Sequence, residues 1–113
     1  MTTVPGPPGL HPSLANGFSA KFLELTDLIF VDGALPAKTK ELMAVAAAQA
    51  TLCEHCIERH TKRSLRFGAT RKEITEAIWV GIAIRAGAAV FRSRAAFAAI
   101  DQAERVGILK TNV

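Results

Sequence analysis

Cys53-Glu54-His55-Cys56 sets two thiols three residues apart, and His60 follows four residues after the second. On a helical wheel with Cys53 at zero, Cys56 falls at about 300° and His60 at about 340°. Ile57, Ser64 and Phe67 lie within about 40° of Cys53, so both thiols and one imidazole are expected on an inward-facing side. Residues three apart on a helix have Cα atoms about 5 Å apart, inside the window for a disulfide. The i,i+4 spacing of Cys56 and His60 lets the imidazole reach the sulfur directly or through a water. A thiolate is the nucleophile in such a pair, and a helix N-terminus and a nearby base both favour its formation. Its attack on a peroxide O–O bond leaves a sulfenic acid, which a second thiol converts to a disulfide. An external dithiol restores the pair by exchange.

Other chemistries fit these residues less well. Attachment of c-type haem needs a histidine directly after the second cysteine, where Ile57 stands. Zinc would draw on Cys53, Cys56, His60 and either His55 or Glu41. The second Cys/His pair of a typical finger is missing, and one helix face does not easily wrap a tetrahedral ion. No metal and no cofactor is therefore expected. No strand pattern precedes the motif, which disfavours a thioredoxin fold. Two inert buried cysteines are the structural alternative.

The surrounding chain reads as all-α, a single compact domain of about five helices. Four of the five prolines fall within the first 12 residues, so residues 1–15 are expected to form an irregular arm and residues 16–113 the helical domain. Phe18, Phe22, Leu25, Leu28 and Ile29 have helical spacing, with Gly33 as a stop. Pro36 fits the first turn of a second helix running to about Ala50. Thr51-Leu52-Cys53-Glu54 matches a capping box, which would put the CxxC at a fresh helix N-terminus, in a helix ending at Gly68. Thr70-Arg71-Lys72-Glu73 repeats the pattern and opens a helix interrupted near Gly87, and a last Ala-rich helix is expected from about Ala88 to Arg105.

Of the 113 residues 50% are hydrophobic and 21% charged, which argues against wholesale disorder. Twenty are Ala, against six Phe, one Trp and no Tyr, a balance that favours helices packed through small side chains. The net charge of +4 is mildly basic. Arg59, Lys62, Arg63 and Arg66 form a basic stripe beside the Cys/His face, extended by Arg71 and Lys72. It reads as a solvated helix face, with an acidic reductant protein as the alternative occupant. Nucleic acid is not expected, because no aromatic residues interleave the stripe. The first residues carry no secretory pattern. The apolar run 77–90 is broken by Arg85 and is too short to span a bilayer. A soluble cytoplasmic protein with no membrane partner is the expectation.

Glu41, then Cys53-Glu54-His55-Cys56, then His60, in an all-helical chain of this length, resembles the AhpD-like branch of the carboxymuconolactone decarboxylase superfamily. Leu-Pro-Ala-Lys-Thr-Lys-Glu-Leu at 35–42 and Gly-Ala-Thr-Arg-Lys-Glu-Ile at 68–74 follow that family's running pattern, and the resemblance covers about residues 20–100. It implies an alkylhydroperoxidase that reduces organic hydroperoxides with electrons from a thioredoxin-like or lipoyl-bearing partner. It also implies an AhpD-like helical fold that assembles as trimers or hexamers. Carried over by position, Cys56 becomes the peroxide-attacking thiolate and Cys53 its disulfide partner and proton donor. Glu41 and His60 relay a proton away from Cys56, and His55 supports the site. The chain matches a single core unit and lacks the longer architecture of the larger alkylhydroperoxidases. The decarboxylase branch uses no CxxC, so both cysteines argue against that activity.

The alternatives to a peroxidase are a general disulfide reductase and a non-catalytic helical oligomer acting as a redox or metal sensor. A homo-oligomer is expected on physical grounds as well. The stretch 77–84, Ala-Ile-Trp-Val-Gly-Ile-Ala-Ile, is apolar on every face of its helix, and a small domain has too few elements to cover it.

Overall fold

Asn16 opens the first long helix. Its Oδ1 accepts from the Phe18 N–H at 3.0 Å, while Ser19 Oγ accepts from the Asn16 N–H at 3.0 Å. The structure, a computed structural model, describes residues 9–108, and all its regular elements among them are helical. A 3-10 turn, Pro12–Leu14, precedes α1 (Gly17–Ile29), α2 (Ala37–Thr51), α3 (Glu54–Arg66), α4 (Arg71–Arg92) and α5 (Arg94–Arg105). The five-helix, all-α expectation holds. Of the expected arm, residues 1–8 lie outside the described residues.

Pro36 precedes α2 as its N-cap and offers no side-chain acceptor, so Asp32 takes that part and accepts from the Ala37 N–H at 2.7 Å. Lys40 Nζ donates to the carbonyls of Ile29 and Val31, both at 2.8 Å, which pins the end of α1 to α2. α3 and α4 both pack on α2, whereas α1 and α5 touch the rest lightly. The core is small: Val45, Ala69 and Ile74 are buried, with Leu42, Ala77 and Ile78 packed around them. At Gly81 α4 lies close against α2. A Cβ there would lie 2.7 Å from the Gln49 Cβ and collide with the Ala46 carbonyl oxygen.

Three boundaries differ from expectation. α1 ends at Ile29, before Gly33, because the chain turns away to let Asp32 and Lys40 make their contacts. The capping box expected at Thr51-Leu52-Cys53-Glu54 does not form. Thr51 closes α2, with its hydroxyl donating back to the Ala47 carbonyl at 3.0 Å, and Leu52 takes a left-handed conformation with φ 59°. Cys53 is the cap of α3, and its Sγ accepts from the Cys56 N–H at 3.2 Å. The CxxC thus stands at a helix N-terminus, with the cap two residues later than the pattern suggests. Nor does Gly87 interrupt α4, which runs on to Arg92 with a slight break at Ser93. A single helix-interior glycine costs about 1 kcal/mol relative to Ala, less than the surrounding helix formers supply.

Because α4 is unbroken at Gly87, its apolar run is longer than the sequence suggests. Taken together, Arg71–Arg105 is long and apolar enough by length and composition to cross a membrane, with a mean hydropathy of 1.5 over its best window and 11% of that window buried. Trp79, Val80, Ile84, Val90, Phe91 and Phe97 are all exposed. The chain extends 65 × 40 × 24 Å with a radius of gyration of 21.0 Å, against about 13 Å for a compact chain of 100 residues.

Candidate active site

The site forms where α2 and α3 face each other, with the end of α1 laid against them. Cys53 and Cys56 are joined as a disulfide, their Cα atoms 5.2 Å apart. Cys53 therefore serves twice, as the disulfide partner and as the sulfur that caps α3. Such a cap is weaker than a hydroxyl or carboxylate, since sulfur is a poor acceptor.

Glu41 is fully buried and its carboxylate is held from both sides. Its Oε2 lies 2.6 Å from His60 Nδ1, and its Oε1 accepts from Arg63 Nε at 2.6 Å. A carboxylate beside a guanidinium accepts from both neighbours. In the neutral ring that donates from Nδ1 to this carboxylate, Nε2 is the acceptor nitrogen, the arrangement by which a carboxylate orients an imidazole as a base. Phe30 stacks on the His60 ring with centroids 5.0 Å apart and covers one of its faces. Cys56 and His60 line the same apolar chamber of about 270 Å³, walled by Leu10, Phe22 and Leu23.

The five expected site residues meet in one region, with different standing. Glu41 and His60 are in direct contact, and Cys53 and Cys56 are bonded. His55 is exposed, with its ring against Gly9, and it lines the same chamber as Cys56 and His60 but makes no hydrogen bond to Glu41 or to either sulfur. Among the described residues no three His, Cys, Asp or Glu side chains gather to hold a metal. Arg63 and Phe30 are the members that sequence reasoning missed. Arg63 carries a signal, since it falls at about 280° on the wheel, beside Cys56. Phe30 carries none, because its contact depends on how α1 lies against α3.

The sequence matches the profile of the carboxymuconolactone decarboxylase family over residues 17–101. This chain belongs to that family. It is 49% identical over 81 residues to protein 4 in the cox locus of Paracoccus denitrificans, itself uncharacterized, covering 72% of this chain and 73% of that one. An uncharacterized Cupriavidus necator protein shares 39% identity over 70 residues, or 62% of each chain. A crystal structure from Methanobacterium thermoautotrophicum superposes with a TM-score of 0.65 at 32% identity, covering 71% of this chain and 90% of that one. A Thermotoga maritima member of the carboxymuconolactone decarboxylase family, for which an antioxidative role has been suggested, superposes at 0.60 with 25% identity over 88% of both chains. Family membership and the Cys53–Cys56 pair are together compatible with AhpD-like redox function.

Proposed function

We propose that this carboxymuconolactone decarboxylase family member is a thiol-dependent hydroperoxide reductase that cycles Cys53 and Cys56 between dithiol and disulfide. The observation that carries this reading is the line of contacts from buried Glu41 to His60, whose ring shares a chamber with Cys56. In the reduced protein His60 Nε2 takes the Cys56 proton, with Glu41 holding the ring in orientation. The Cys56 thiolate attacks the distal peroxide oxygen, forming an S–O bond and breaking O–O. The departing alkoxide takes the Cys53 proton to leave as an alcohol, and the Cys56 sulfur is oxidised by two electrons to a sulfenic acid. The Cys53 thiolate then attacks that sulfur and closes the disulfide, and the hydroxide it displaces takes the proton held on His60 to leave as water. A thioredoxin-like or lipoyl-bearing dithiol reopens it by exchange, a cycle suited to the reducing cytoplasm.

The test is direct. Stoichiometric cumene hydroperoxide added to the reduced protein should consume two thiols per chain rapidly, and Cys56→Ser should abolish the reaction. Slow or absent thiol loss in the unmodified protein overturns the reading.

We further propose that the working unit is a trimer or hexamer. The exposed apolar side chains of α4 and α5 and the extended outline support it, since patches of this kind are covered in stable soluble proteins. A single 12.1 kDa species in sedimentation at micromolar concentration would refute it.

A further inference from the structure

Two chambers open along α3, one of them lined by Cys56, and they differ in chemistry. The apolar one is lined by Cys56 and His60. The other, of about 550 Å³, runs along the outer side of α3 between Arg59, Lys62 and Arg66. Gly9, His55 and Arg59 line both, so the two meet at these three residues. At Gly9, φ is +91°, and a Cβ there would lie 2.7 Å from His55 Nδ1. The boundary is therefore tight on one side and bears a guanidinium on the other.

The charges of the groove are not equally committed. Lys62 is bound to Glu58 at 2.7 Å, and Arg63 to Glu41. Among the described residues no carboxylate pairs with Arg59 or Arg66. Arg59 is half-buried and lines both the groove and the apolar chamber, where a charge attracts a counter-ion more strongly than on open surface. The apolar chamber, of about 270 Å³, has room for an alkyl chain.

We propose that the substrate is an amphipathic anion: a hydroperoxide whose apolar chain fills the chamber above Cys56 and whose carboxylate sits on Arg59 in the groove. The planar guanidinium suits bidentate capture of a carboxylate. The groove thus orients the chain and selects among hydroperoxides that the thiolate alone would treat alike. The reacting group rests on the peroxidase reading above, whereas the anion site is a binding claim that stands without it.

Binding and chemistry are measured separately. Calorimetry on the disulfide form compares decanoate with decanol, using the unmodified protein, Arg59→Gln, and Arg94→Gln as a charge-matched control on α5. Decanoate should bind about tenfold more tightly than decanol, the size of one charge-assisted hydrogen-bonded pair. That advantage should collapse in Arg59→Gln and persist in Arg94→Gln. Equal binding of the two probes, no binding of either, or an advantage that survives Arg59→Gln overturns the proposal. In the reduced protein, a fatty-acid hydroperoxide should consume thiols faster than its methyl ester by a similar ratio. If decanoate shows the expected pattern and no hydroperoxide oxidises the thiols, the anion site stands and the peroxidase reading falls.

Discussion

The junctions that open α3 and α4 carry the same written pattern, Thr-x-x-Glu, and are built differently. At α4 the box closes reciprocally: Thr70 Oγ1 accepts from the Glu73 N–H at 3.1 Å, and Glu73 Oε1 accepts from the Thr70 N–H at 2.9 Å. At α3 the threonine belongs to the helix before, and a cysteine sulfur does the capping. Both starts are also tied to α2 by charge. Glu73 pairs with Lys38 at 2.8 Å on the surface, while His60 and Arg63, further along α3, hold the buried Glu41. One start is made only to hold. The other gives up a strong oxygen acceptor to place a reactive sulfur there, and its helix regains its orientation through a buried carboxylate two turns on.

If that contrast is right, the buried tie matters most. Glu41→Ala leaves Arg63 and His60 facing an empty acceptor site. It should lower unfolding free energy by about 3 kcal/mol, the scale of a broken buried ion pair, and slow thiol loss to peroxide. Glu41→Gln keeps one oxygen for Arg63 and should fall between the two, read by urea unfolding and by single-turnover thiol titration. Equal stability of all three proteins would put the orientation of α3 elsewhere.

The caps come next. Thr70→Ala should cost about 1 kcal/mol, the usual value of a lost N-cap, without changing thiol oxidation. Under reducing conditions Cys53→Ala should be less stable than Cys53→Ser, because serine restores an acceptor to α3 although neither variant can form the disulfide. A reversed order would remove the capping role assigned to Cys53.

The smallest effect is expected at the surface pair. Lys38, followed by the Thr70 N–H, holds the Glu73 carboxyl below its ordinary value. Its contribution is therefore present at neutral pH and is lost as the pH falls through that lowered value. Lys38→Gln should give a slightly lower melting temperature at pH 7, and the difference from the unmodified protein should fade as the pH falls through that lowered value. A difference that grows on acidification would contradict this assignment.

The parts that follow local rules were legible in the sequence. The Thr70 box, the proline before α2 and the all-helical composition read correctly because each depends on neighbours within one turn. The helix break before the CxxC was also legible, but the capping residue was not. It depends on Leu52 adopting a positive φ, which no spacing argument reveals. The relay role of Glu41 came from family resemblance alone, because its contact with His60 crosses 19 residues and two helices. Arg63 sat in a stripe read as solvated, since charge alone does not say that a buried partner lies opposite. Gly87 misled because one glycine weighs little within 22 helical residues.

Gly81 has a mechanical consequence. Where it crosses α2 the two backbones meet with nothing between them, so the joint has no slack and serves as a fulcrum for the helix that carries Glu41. A single methyl group inserted there acts as a wedge, of the kind that typically costs about 1–3 kcal/mol, and tips the lever. Ala46, at the pivot, is five residues from Glu41, about 7.5 Å along the helix axis. A slight tilt at the joint therefore moves the carboxylate relative to the imidazole it steers. A substitution on the far side of α2, near neither sulfur, would then register in an assay as a fault of the thiols.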